Sequence, residues 1–289
     1  MSARESAQRR VLGVAAGWVA GPDHLVPGPD GSSMAGRVRA ILAVAAAAML
    51  AVAGCSATSA SGAATPSPTP PRGVGTPTDF ALPAALRNLT FTTSTGAHVS
   101  LASLTGKIVV LSDVMTLCQE SCPLDTSSLV QTAHDENSAG HQNQVVYLSL
   151  TVDPARDTVP QIAAYRALFS PVPPNWMVAT GSAQDVAAIW KDLGVYTKKV
   201  PQGSPPPKNW RTGKPLTYDI QHSDALFFLG TDGHVRFVIE GTANPTPSSV
   251  PTTLKKFLND TGAQNLASPS SDAWTSTQAD RVLGWMMAG

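Results

Sequence analysis

Charge is scarce in this chain. Asp, Glu, Lys and Arg make up 14% of its 289 residues, with 20 bases against 20 acids. A formal net charge of zero lacks the basic excess with which proteins usually hold nucleic acid through its phosphates, so no nucleic-acid partner is expected. Cysteine is scarcer still, and three in the whole chain exclude a disulfide-dense scaffold. The apolar run Ala40–Gly54 has 15 residues, short of the ~18–20 that span a bilayer as a helix. What is abundant is apolar residues, at 43%, together with 24 Pro and 23 Gly. That mixture fits a compact core with long uncharged linkers and is too apolar for global disorder.

The run Ala40–Gly54 follows Arg37 and Arg39, and no acid lies between Met34 and Cys55. Positive charge, a short apolar stretch and small residues at its end make a secretory signal. The end, Val52-Ala53-Gly54-Cys55, resembles a bacterial lipobox, in which cleavage leaves a cysteine that carries lipid. Residues 34–54 are therefore expected to be a lipoprotein signal peptide and Cys55 a lipidation site, placing the protein on the extracytoplasmic face of the cell membrane. Residues 1–33 fit poorly in front of a signal: translation is expected to begin at Met34, or the segment to be a disordered extension. Cleavage before Cys55 leaves 235 residues with 15 bases and 17 acids, so attachment would rest on acyl chains rather than on a polybasic patch.

Residues 55–78 are Ser, Thr, Ala, Gly and Pro with little else, and are expected to form a flexible tether. From Asp79 the pattern changes. Lys107–Leu111 and Asn143–Val152 read as buried strands separated by a helix from Pro123 to about Asn137. A second helix opens with Thr158 and Gln161 at capping-box spacing. A strand over Trp176–Thr180 follows, then a helix from Ser182 to Leu193 that Gly194 would end. Residues 200–217 read as a long Pro-rich loop. Ala225–Leu229 and Val235–Ile239 read as a β-hairpin across Gly230–Gly233, and Val250–Asp260 as a last helix. Strand–helix alternation predicts an α/β domain over 79–261, with the hairpin adding antiparallel strands. The Ser- and Ala-rich tail 262–289 is expected to be disordered.

Cys118 and Cys122 lie in LCQESCP, between the strand at 107–111 and the helix behind Pro123. One helical turn separates them, which brings their Cα atoms within ~6 Å in a turn-like segment. That spacing suits a disulfide, and equally two sulfurs facing one ligand. The helix N-terminus favours thiolates, the form that both metal binding and disulfide exchange require. Of the six histidines, His222 differs from the rest, because DIQHSD leads directly into an apolar strand. It reads either as a histidine bonded near a strand start or as a ligand.

CQESCP, LTVDPARDT (150–158) and YDIQHSDALFFLGTDGHVR (218–236) occur here in an order that resembles the Sco (SenC) copper-chaperone family. The likeness covers about residues 79–260. It implies a thioredoxin-like fold, with a central mixed sheet, flanking helices and a C-terminal hairpin. It implies Cys118, Cys122 and His222 as ligands of a copper ion. It further implies delivery of copper to, or upkeep of the thiols of, the dinuclear copper site in the copper-accepting subunit of a respiratory oxidase, with a thiol reductant as second partner. Two departures stand out. The aromatic-rich approach to the first cysteine is replaced by SDVMTL, and the Pro after it by Gln119. The alternative reading is an enzyme, a metal-independent thiol–disulfide oxidoreductase using Cys118 and Cys122 as its redox pair; a plain structural disulfide is a third.

Overall fold

The computed structural model describes residues 68–289. The expected extension 1–33, the expected signal peptide 34–54, the expected lipidation site Cys55 and most of the expected tether lie outside the described residues. A central strand, β4 (Ile108–Val114), organises the rest, and every residue in it is buried. It runs parallel to β5 (Val145–Thr151) and antiparallel to β9 (Ala225–Leu229). β5 continues in parallel to β6 (Trp176–Thr180), and β9 pairs with β10 (His234–Glu240) across the expected turn. Three further strands, β1 (Thr76–Ala81), β2 (Phe91–Thr93) and β3 (His98–Val99), complete an eight-stranded mixed sheet in the order β1-β10-β9-β4-β5-β6-β2-β3. A parallel βαβ unit joined to an antiparallel hairpin is the thioredoxin-like arrangement.

Helices cover both faces, as a sheet buried on two sides requires. In chain order they are α1 (Ala84–Arg87), α2 (Cys122–Ser138), α3 (Val159–Ala167), α4 (Ala183–Leu193), α5 (Thr252–Lys255), α6 (Asp260–Ala267) and α7 (Ser276–Ala288). The clearest, α4, follows its sequence: Ser182 caps Asp185 N–H, Val186, Ile189, Trp190 and Leu193 are buried, and Gly194 ends it with a φ of 81°. Thr158 occupies the N-cap of α3, but its side chain makes no capping bond.

Three expectations need correction. Thr76–Thr78 belong to β1, and Thr76 and Pro77 pair with β10, so the folded domain starts before Asp79. The helix expected over 250–260 is broken: α5 is one turn, and Asn259 starts α6 by accepting from Gly262 N–H. The tail folds. Thr275 and Gln278 form a capping box, Ala279, Val282 and Leu283 are fully buried, and Trp285 Nε1 donates to Pro68 O at 2.8 Å while its ring meets Phe237. A low charge density hid a helix whose apolar residues sit at i, i+3 and i+4. Leu283→Ala is expected to cost about 2–5 kcal/mol of stability in urea unfolding; a disordered tail would show no change.

Candidate metal centre

The strand-to-helix junction after β4 carries both cysteines, and the geometry follows from local bonds. Cys118 N–H donates to Met115 O, turning the chain at once after the strand. Cys122 is the first residue of α2, and Pro123 sits in its first turn, where no N–H is needed. Both thiols are free and buried. Glu120 N–H points at Cys118 Sγ and Met115 N–H at Cys122 Sγ, each at 3.4 Å. The loop is held from below by Asp157. Its buried carboxylate accepts from Thr116 N–H, Thr116 Oγ1 and Thr151 Oγ1. From behind, α6 packs so closely that a Cβ on Gly262 would lie 2.2 Å from Gln119 O. Gln119 itself donates to Phe257 O at 3.0 Å.

His222 arrives from the far end of the sequence. It ends β8 (Tyr218–His222), which pairs antiparallel with β7 (Thr197–Pro201) in a separate two-stranded ribbon. The expected loop 200–217 therefore gives residues 200–201 to β7 and is otherwise the connection within a hairpin-like excursion. The ribbon sets His222 Nε2 3.3 Å from Cys122 Sγ. The ligand atoms of Cys118, Cys122 and His222 all fall within 4.8 Å of one another. The two sulfurs and the nitrogen converge on one point, which a soft or borderline ion would suit.

Behind the imidazole lies a residue that sequence reasoning missed. Asp113 Oδ2 is 3.0 Å from His222 Nδ1, and its Oδ1 accepts Ala225 N–H at 2.8 Å. Asp224 Oδ1 stands 3.4 Å from the same Nδ1 and also accepts from Ser121 Oγ at 3.0 Å. The signal for Asp113 was a lone carboxylate inside an apolar strand, which burial obliges to find partners. Asp153, in the segment LTVDPARDT, pairs with Arg156 and accepts from Tyr218 OH. Among the other histidines, His141 pairs with Glu136 and His234 with Asp79.

The electrostatics divide the two sulfurs. The hydrogen bond from Cys122 holds the Cys118 thiol well below the usual range despite burial, and the His222 imidazole and Glu120 N–H add to it. Burial, reinforced by the Cys118 charge, pushes Cys122 well above that range. Burial alone would lower His222, but the Asp113 carboxylate and Cys118 outweigh it and raise it well above an ordinary histidine. These shifts favour a thiolate at Cys118, a thiol at Cys122 and an imidazolium at His222 in the reduced, metal-free site. A metal ion entering it would displace protons from the last two.

A family model described as SCO1/SenC matches residues 83–259. The mitochondrial SCO2 homologue of Bos taurus is 30% identical over 132 residues, covering 46% of this chain and 45% of the relative. The SCO1 homologue of Bacillus subtilis is 26% identical over 157 residues, covering 54% of this chain and 73% of the relative. The chain spans less than half the length of the Bos taurus protein and of the mitochondrial SCO1 homologue of Homo sapiens. Among solved structures, copper-bound ScoI of Bradyrhizobium japonicum is 23% identical, with a TM-score of 0.41, over 64% of this chain and 99% of that one.

The Asp113 contact has a direct test. In Asp113→Asn the amide oxygen stays with Ala225 N–H and its NH₂ faces Nδ1, which moves the imidazole proton to Nε2, the nitrogen beside the sulfurs. Affinity of the reduced protein for a thiophilic ion, Cd(II) read by its thiolate absorbance, is expected to fall about 10–100-fold. An unchanged affinity would show that Asp113 does not orient the ring.

Proposed function

The chain belongs to the SCO1/SenC family, and from that premise we propose that it binds copper reversibly through Cys118, Cys122 and His222 and passes it to the copper-accepting subunit of a respiratory oxidase. The observation that carries this reading is the convergence of two sulfurs and one imidazole nitrogen within 4.8 Å. Cu(I) favours low-coordinate sulfur-rich sites, and Cu(II) accepts two sulfurs, a nitrogen and water. Structural zinc takes four protein ligands, whereas the groups of three or more candidate ligands among the described residues are this one and the Asp113–His222–Asp224 set behind the ring. Three ligands leave the ion a side from which a recipient can take it.

Redox state gates the site. Oxidation joins Cys118 to Cys122 and removes both thiolate ligands, so a thiol reductant is required before copper loads. Because loading releases protons from Cys122 and His222, copper affinity rises with pH. The lipobox at Val52–Cys55 supports an acyl anchor on Cys55 and an extracytoplasmic location. Among the described residues no helix is long and apolar enough to cross a membrane.

The reduced protein is expected to take up one copper ion. Uptake should be abolished by Cys118→Ser or Cys122→Ser, by oxidation of the pair, and reduced at least about tenfold in His222→Ala, as read by chelator competition. Stoichiometric binding that survives loss of both cysteines would refute the site. Absent copper binding together with rapid disulfide exchange indifferent to His222→Ala would establish the thiol–disulfide oxidoreductase in its place.

A further inference from the structure

One border of the metal centre is made by a stretch with an uneven charge. From Gly194 to Thr217 the chain carries Lys198, Lys199, Lys208, Arg211 and Lys214 and no Asp or Glu. Residues 68–289 hold 15 bases and 17 acids. A third of those bases therefore fall in 24 residues that contain none of the acids. All five side chains are exposed.

The fold brings this stretch to the copper ligands. β7 places Thr197 opposite His222 and Lys198 opposite Gln221. The loop beyond it is fastened beneath the cysteines: Trp210 Nε1 donates to Thr116 O at 2.7 Å, two residues before Cys118, and Arg211 Nε donates to Gln161 Oε1 at 2.9 Å. Lys208 bridges to Pro215, and Asn209 Oδ1 accepts from Arg211 and Thr212 N–H, so the loop's bases are held together. Lys199 Nζ sits 3.7 Å over the Tyr218 ring. Tyr196 precedes the ribbon, and at 52% exposure it is the exposed large hydrophobic residue among those described. Its backbone is fixed to Ser223, the neighbour of His222, by bonds of 3.0 and 3.1 Å. The acids near this border are engaged elsewhere. Asp219 is half-buried and accepts Ile220 N–H, Asp153 pairs with Arg156, and Glu120, near enough to act on Asp219, accepts from Asn259.

An exposed aromatic beside the ligand, flanked by charges of one sign, has the composition of a protein-docking site. A basic rim steers an acidic partner and fixes its orientation. A bilayer is the poorer occupant, because Tyr196 alone could insert and a membrane lying here would cover the metal centre. We propose that Tyr196 and the basic ribbon and loop 194–217 form the docking surface for an acidic face of the protein that exchanges copper with Cys118, Cys122 and His222. This rests on the copper-transfer reading above.

The test uses the soluble copper-accepting domain of the oxidase from the same organism. Its binding to the reduced protein and its uptake of copper are read separately, at low and at physiological salt. The variants are Lys198→Glu/Lys208→Glu/Lys214→Glu and Tyr196→Ala, each first shown to hold copper with unchanged affinity. Association is expected to weaken with salt and to slow about tenfold or more in the triple variant, and Tyr196→Ala is expected to speed dissociation. Binding with these properties but without copper uptake would uphold the docking surface and defeat the transfer reading. Copper uptake indifferent to salt and to both variants would overturn the docking surface and leave transfer standing. Absence of binding would overturn the docking surface, as would binding instead to equimolar phosphatidylglycerol–phosphatidylcholine vesicles that the triple variant loses.

Discussion

The whole arrangement depends on a contact across the molecule: the buried Asp113 carboxylate, near the end of β4, receiving the imidazole of His222. The ribbon brings His222, a hundred residues after Cys122, beside the sulfurs, and Asp113 orients its ring there. One oxygen of Asp113 holds the backbone at the start of β9 and the other holds the ring. The same residue thus ties the sheet to the ligand. The contact also sets the proton inventory, since an imidazole whose Nδ1 faces a carboxylate presents Nε2 to the ion.

The cysteine loop is built to the same standard of support. Asp157 holds Thr116 from one side, Trp210 holds the carbonyl of that same residue from another, and α6 closes on Gln119 and Glu120. Each support comes from a different part of the chain, so the two thiols stand on a rigid base while the ribbon carrying His222 belongs to a separate small sheet. Both sulfurs are buried, but the Cys122 hydrogen bond and the His222 charge pull Cys118 down while nothing offsets burial at Cys122, so the two are not equivalent.

Much of this was legible in the residues alone. The apolar runs gave β4, β5 and β9, Ser182 and Gly194 marked the ends of α4, and the one-turn cysteine spacing at a strand-to-helix junction pointed to shared chemistry. The family likeness linked His222 to that pair, a link that no local pattern carries. Asp113 escaped because nothing in one sequence says where a buried carboxylate points. The β7–β8 ribbon escaped because Lys, Pro and Gly between its strands read as loop. The α7 helix escaped because its Ser- and Ala-rich approach outweighed a capping box and three apolar residues at helical spacing. In each case a tertiary partner decided the outcome: His222 for Asp113, β8 for β7, and α2 with Phe237 for α7.

The most direct measurement of the central claim is X-ray absorption at the copper edge of the loaded, reduced protein. A shell of two sulfurs and one nitrogen, with the outer-shell scattering of an imidazole ring, is expected. A shell of sulfur alone, or of nitrogen and oxygen without sulfur, would contradict that claim.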